Sequence, residues 1–167
     1  PISQLVVGSN SNDILTRWAA TGDMAQLGVV PTLSPSMDIQ VSSNHERLLF
    51  ELLGRDGAAT ADVMARFRGV GSVEAPHDPT IVAASLDDAA TLAEIAGLYR
   101  RTGYLADPHT AVGIGAARAC RGADEADRPV VCMATAHPAK FPDAVEQATG
   151  VRPALPGHMA DLHERPE

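Results

Sequence analysis

Apolar and polar positions fall in blocks along the chain, and each change of period marks an element. Residues 2–8 (Ile-Ser-Gln-Leu-Val-Val-Gly) are a short apolar run that predicts a buried strand. The polar cluster at residues 9–13 suits a turn and a helix N-cap. Ile14, Leu15 and Trp18 then share one helical face, which ends near Gly22. Residues 23–36, with Gly28, Pro31 and Pro35, predict an extended loop, and residues 36–43 read as an edge strand or an extended approach to a helix. Ser42, Ser43 and Asn44 offer a cap, with Glu46 three positions after Ser43 as in a capping box. Leu48, Leu49, Leu52 and Leu53 form the stripe of that helix, and Gly54 stops it.

The second half repeats this grammar. Residues 60–68 predict a short helix, 69–79 an irregular stretch and 81–84 a weak strand. Ser85 is placed as the cap of a long helix running to about Thr102, with Leu86, Ala89, Ala90, Ala93, Ala96 and Leu98 on its buried side. Gly103 ends it, and residues 104–109 make a polar crossing. Residues 110–120, rich in alanine and glycine, predict a helix packed closely on a sheet, and residues 121–128 a charged surface loop. The run Val130-Val131-Cys132-Met133-Ala134 predicts a firm buried strand, breaking at Thr135 into a tight crossing with Pro138, then a helix over 141–149. Residues 151–167 hold three prolines and predict a surface tail with a short helical piece. The strands are too few to cover the helices, so part of the sheet is expected on sequence not present here. The order of elements points to an open α/β sheet, whose ligands bind outside the carboxyl ends of the strands.

Composition narrows the partners. The chain has 167 residues, enough for one domain with a core, and aromatics are only 4%, so aliphatic residues and alanine must fill it. A formal charge of −8 argues against nucleic acid or an anionic membrane as partner, though not against a local pocket for a small anion. Lys140 is the one lysine among 13 basic residues; the arginines suit bidentate capture of phosphate or carboxylate. Two cysteines, Cys120 and Cys132, make no paired framework, which predicts a reducing, cytoplasmic compartment, with Cys132 buried as a small hydrophobe. No run reaches the ~18 apolar residues of a membrane span, and no signal peptide is visible.

Several groups could carry chemistry. Ser42, Ser43 and Asn44 lie at a helix N-terminus, where free N–H groups favour an anion, and Arg47 one turn later could add a bidentate contact; an ordinary capped helix gives the same pattern. His77, His109, His137, His158 and His163 lack paired ligand spacing, so no metal site is expected, and His158 and His163 are placed on the surface. Asp107-Pro108-His109-Thr110 reads either as a catalytic corner or as a turn feeding a helix cap. Lys140 reads either as a Schiff-base lysine or as an exposed cation at a helix start.

Joint occurrence of motifs adds a further reading. Residues 32–44 (Thr-Leu-Ser-Pro-Ser-Met-Asp-Ile-Gln-Val-Ser-Ser-Asn) with Glu46-Arg47-Leu48-Leu49-Phe50 resemble the middle signature of the threonine synthases. Asn10-Ser11-Asn12-Asp13-Ile14-Leu15, Asp107-Pro108-His109-Thr110-Ala111-Val112-Gly113 and Ala134-Thr135-Ala136-His137-Pro138-Ala139-Lys140-Phe141 resemble further motifs of that family, in the same order.

The resemblance implies the C-terminal part of a fold-type II pyridoxal-phosphate enzyme, an α/β protein seen here as a partial open sheet with flanking helices. Residues 1–150 would belong to the catalytic region and 151–167 to a C-terminal tail. The whole enzyme would convert O-phospho-L-homoserine and water to L-threonine and phosphate, with pyridoxal 5'-phosphate as electron sink. The family's Schiff-base lysine (in a Phe-Lys-Asp motif) and its phosphate loop match nothing in this sequence, and Lys140 belongs to a different motif. The chain alone is therefore expected to be inactive, to lack bound cofactor and to self-associate through uncovered sheet. The resemblance assigns Thr135 to the pyridine nitrogen of the cofactor, and Ser42, Ser43, Asn44 and Arg47 to the substrate; Asn10, Asn12 and Asp13 would line the same crevice. His45 departs from the family, which usually has phenylalanine there. Alternatives are a catalytically silent relative that binds a phosphorylated metabolite or a partner, or another pyridoxal-phosphate lyase of the β family.

Overall fold

The protein is described by a computed structural model over residues 2–71, 73–122 and 128–165. β1 (Leu5–Ser9) and β2 (Ile81–Ser85) lie side by side in parallel, Leu5 opposite Ile81 and Ser9 opposite Ser85. The pairing runs past both ends: Leu5 N donates to Thr80 O at 3.0 Å, and Leu86 N to Ser9 O at 2.9 Å. Parallel strands need a long crossover. Here it carries α1 (Ile14–Thr21), α2 (Ser43–Leu52) and α3 (Gly57–Val70).

Successive side chains of a strand face opposite ways. Val7 and Ile81 face the crossover helices, in a core with Ile14, Trp18, Leu49 and Phe67. Gly8 faces the other layer, made of α4 (Asp88–Thr102), α5 (Pro108–Cys120) and α6 (Pro142–Thr149). There α5 lies directly on β1: a Cβ at Gly8 would stand 3.1 Å from Val112 O and 3.2 Å from Gly113 Cα. The alanine- and glycine-rich character of α5 is what permits this approach. Left-handed caps at Gly22, Gly71, Gly103 and Gly150 end α1, α3, α4 and α6.

Several elements differ from the sequence expectation. The run 130–134 is not a buried strand: it has no regular structure, and Val131 and Met133 are 86% and 73% exposed. A strand exists only through hydrogen bonds to a neighbour, and no described residue makes backbone hydrogen bonds with these five. Cys132 is accordingly exposed, not buried. The weak strand at 81–84 is the real partner of β1. Residues 36–43 form no strand; a 3-10 turn at Pro35–Met37 leads toward α2.

Helix starts shift as well. α4 is capped not by Ser85 but by Asp87, which accepts from Ala90 N at 2.7 Å. Its buried side is Thr91, Ile95 and Gly97, while Ala89, Ala90 and Ala93 are exposed. Thr91 escapes an apolar count because its hydroxyl is satisfied locally, donating to Asp87 O at 2.8 Å. α3 begins before Thr60, since Asp56 accepts from Ala58 N and Ala59 N at 2.9 and 3.0 Å. The charged loop expected at 121–128 lies partly outside the described residues, as do the side chain of His163 and the last two residues of the tail.

Candidate functional site

The Asp107 corner draws three motifs together. Pro108 opens α5 at a position where a missing N–H costs nothing, and Asp107 caps the helix. Its side chain is fully buried. Oδ1 accepts from His109 N at 2.9 Å and meets His109 Nδ1 at 2.9 Å; Oδ2 accepts from Thr110 N at 3.3 Å and from the Thr110 hydroxyl. Burial alone would push this carboxyl up; the hydrogen bonds from the His109 and Thr110 side chains and from the His109 N–H outweigh it and hold the carboxyl below its ordinary range.

The far side of each partner is also used. Ser36 N donates to His109 Nε2 at 3.2 Å, so Nε2 carries a lone pair and the ring proton sits on Nδ1, facing Asp107. Thr135 N donates to Thr110 Oγ1 at 3.1 Å. The His109 ring packs on Phe141 with centroids 4.6 Å apart. Ser36, His109–Thr110 and Thr135, far apart in sequence, are thus joined through one carboxylate. Thr135 itself is exposed, with its backbone held and its hydroxyl hydrogen-bonded to no described residue.

Asn10 and Asn12 build a second hub at the carboxyl end of β1. Both are buried. Asp38 Oδ1 accepts from Asn10 Nδ2 at 2.8 Å, Asn12 Nδ2 at 3.1 Å and Thr32 Oγ1 at 2.7 Å, while Oδ2 accepts from Thr32 N at 2.9 Å. Asn12 Nδ2 donates to Val30 O at 2.8 Å, and Val30 N donates to Asn12 Oδ1 at 2.8 Å. These amides hold the loop 30–38 against the strand end, while Asn10 Oδ1 accepts from Asn12 N and Nδ2 at 2.8 and 3.1 Å and ties the two asparagines together. Asp13 lies apart from this hub; its carboxylate pairs with Arg17 at 3.0 Å.

The start of α2 stands separately, with no hydrogen bond to either hub. Ser42, not Ser43, is its cap, accepting from His45 N at 3.3 Å, and with His45 rather than Glu46 at the reciprocal position the expected capping box does not form. Ser43, Asn44 and Arg47 are exposed. Ser43 and Arg47 border a depression of about 500 Å³ between α2 and α3, with Phe50, Thr60 and the carboxylates of Glu46 and Glu51. Those carboxylates face Arg68 and Arg55 at 3.4 and 2.9 Å, while Arg47 has no ion pair with a described residue. His45 is buried against Trp18, ring centroids 4.2 Å apart, and neither ring nitrogen has a partner. Burial lowers its pKa from 6.5 to about 4, so the ring is neutral.

Lys140 belongs to a 3-10 turn, Pro138–Lys140, capped by His137, and its ammonium lies 5.6 Å from the Phe141 ring centroid. Among the described residues no group of three His, Cys, Asp or Glu could hold a metal ion. No helix of the described residues is long and apolar enough to cross a membrane. Asp38 and Thr32 carry the second hub without any prior sign of that role; the only signal was the demand of two buried amides for acceptors.

Comparison with known proteins bears on the whole of this arrangement. A family profile described as "Threonine synthase, C-terminal" matches residues 110–167. Threonine synthase of Pseudomonas aeruginosa is 47% identical over 100% of this chain and 37% of its own length. A crystal structure of PLP-bound threonine synthase from Brucella melitensis superposes with a TM-score of 0.89 and 44% identity, covering 100% of this chain and 37% of that one. Threonine synthase from yeast superposes with a TM-score of 0.83 and 29% identity, covering 98% and 38%. The chain thus spans little more than a third of the length of these relatives. With the four motifs in order and the fold matched from end to end, the chain belongs to the threonine synthase family, as the C-terminal part of such a protein.

Proposed function

We propose that the protein of which this chain is part converts O-phospho-L-homoserine and water to L-threonine and phosphate, with pyridoxal 5'-phosphate as cofactor. The observation that carries this reading is the likeness of the entire chain, at 44% identity, to a PLP-bound threonine synthase. The Thr135 region fits such a group: its backbone is tied to Thr110, while its hydroxyl is exposed and uncommitted. The cofactor, when bound, supplies the electron sink for carbanion chemistry at the substrate. A neutral hydroxyl against its ring nitrogen can donate or accept, and unlike a carboxylate it does not favour a protonated ring.

On this reading the first turn of α2 binds the anionic end of the substrate. The exposed Ser43 and Asn44 stand where a helix presents unbonded N–H groups, Ser42 fixes that turn through His45 N, and Arg47 adds a guanidinium without another ion pair. Asn10 and Asn12 act through the loop 30–38 that they hold; Asp13, paired with Arg17, acts only by steadying the start of α1. Residues 1–150 serve the catalytic region and residues 151–167 a tail, and a reducing cytoplasmic setting suits the unpaired cysteines. The test is phosphate release from O-phosphohomoserine by the full-length protein. Release that depends on added pyridoxal phosphate is the expected result; no release from protein with intact cofactor absorbance would sink the proposal.

A further inference from the structure

The Asp107 carboxylate does more than cap a helix, because both of its oxygens set the polarity of a second hydrogen bond. Oδ1 takes the Nδ1 proton of His109, which leaves Nε2 as an acceptor for Ser36 N–H. Oδ2 takes the Thr110 hydroxyl proton, which leaves a Thr110 lone pair for Thr135 N–H. Each arm runs donor to acceptor in one sense only. A serine in place of Thr110 keeps that sense, whereas a valine removes it. An asparagine in place of Asp107 puts an N–H donor where one oxygen was, so it must face the backbone N–H of His109 or of Thr110 donor against donor.

We infer that Asp107 is a positioning residue for the proposed site: one buried carboxylate holds the Ser36 loop through His109 and the Thr135 backbone through Thr110. The inference rests on the proposed contact of Thr135 with the cofactor ring. Its physical basis is burial. Asp107 has no exposed surface, so water does not replace a lost acceptor. The two arms end on different segments, the loop that follows Thr32 and the stretch that precedes Pro138, which among the described residues share no direct hydrogen bond. A change at Asp107 therefore reaches both segments, and a change at Thr110 reaches only one.

The test uses the full-length holoenzyme and two readouts. Hydrogen exchange of the Thr135 peptide is expected to rise about tenfold in Thr110→Val and to stay at the parent value in Thr110→Ser. In Asp107→Asn the Thr135 or the Ser36 peptide, or both, exchange faster, while β1 and the middle of α5 keep their protection. Should Asp107→Asn not fold, the Thr110→Val and Thr110→Ser pair decides. Unchanged exchange at Thr135 in Thr110→Val, or a Thr110→Ser protein that exchanges like Thr110→Val, overturns the relay. The second readout is the visible absorbance of bound pyridoxal phosphate, which is expected to shift in Thr135→Ala and, in the same direction but less, in Thr110→Val. A shift in Thr135→Ala with none in Thr110→Val overturns the relay and leaves the ring contact standing. A flat spectrum in both overturns the ring contact and, with it, the role given to Asp107.

Discussion

His45 sets a local conflict between position and chemistry. It occupies the third residue of α2, where its backbone N–H is usefully bound to Ser42, while its ring is buried edge-on to Trp18 with both nitrogens unpaired. Burial depresses the ring's pKa from 6.5 to about 4, so between those values the unfolded chain takes up a proton that the folded chain refuses. Stability from this group is complete above pH 6.5 and is lost as pH falls toward 4, by roughly 3 kcal/mol in all. His45→Phe should keep the edge-on packing, remove two unsatisfied nitrogens and raise stability at pH 7 by about 1–2 kcal/mol. Urea denaturation of both proteins at pH 7, 6 and 5 isolates the effect, because shared carboxylates cancel in the difference. A gap between the two proteins that does not widen toward pH 5 would count against it. At this scale local turns were more legible in the sequence than partners from distant segments. Asp107-Pro108-His109-Thr110 was legible as a corner because Asp before Pro at a helix start is a local signal. That Thr110 would hold Thr135, and Asp38 would serve Asn10 and Asn12, depends on contacts between distant segments that no local pattern encodes.

At the scale of elements, the tightest join is α5 on β1. The atoms nearest an added methyl at Gly8 are backbone atoms of Val112 and Gly113, which cannot swing aside as a flexible side chain would. Gly8→Ala should push α5 outward by a few tenths of an ångström and destabilise the protein by about 1–3 kcal/mol. Because Thr110 lies in the first turn of that helix, the same change should loosen the Thr135 amide, which hydrogen exchange can follow. Caps give an independent check. Asp87→Ala should cost about 1 kcal/mol, whereas Ser85→Ala, at the position where the sequence placed the cap, should stay within about 0.5 kcal/mol; equal losses in denaturant midpoint would contradict the assignment. The helices of the crossover were readable since Ile14 and Trp18 in α1, and Leu48, Leu49 and Leu52 in α2, recur at helical spacing, and glycines close α1 and α3. The α4 face was misread by phase: its start lies at Asp88, and a threonine satisfied by its own helix fills a core position. Residues 130–134 have the composition of a strand, but composition supplies no neighbour to bond with, and none is present among the described residues.

For the whole molecule, that missing neighbour leaves apolar surface in water. Ile2, Leu27, Val131 and Met133 are all more than 70% exposed, and Val29 and Val30 more than half. Exposed apolar side chains favour association, whereas a formal charge of −8 on each copy opposes it. The balance between them depends on salt. Repulsion between exposed charges fades beyond about 10 Å at 0.1 M ionic strength, while burial of apolar side chains contributes about 25 cal/mol per Å² at any salt concentration. The isolated chain should therefore be largely monomeric at low ionic strength and should associate as salt rises. Val131→Glu with Met133→Glu adds charge at the two most exposed large apolar positions of the 130–134 run, so the double variant should remain monomeric across the same range. Neither position makes a hydrogen bond with a described residue or belongs to the buried core, and the variant should unfold at the same denaturant concentration as the parent. Sedimentation velocity at 0.02, 0.15 and 0.5 M salt, at roughly 5 and 100 μM protein, reads the balance directly. A parent chain that stays monomeric at the highest salt and concentration would show that this surface is too dispersed to pair. Equal association of parent and variant would place the contact elsewhere on the molecule.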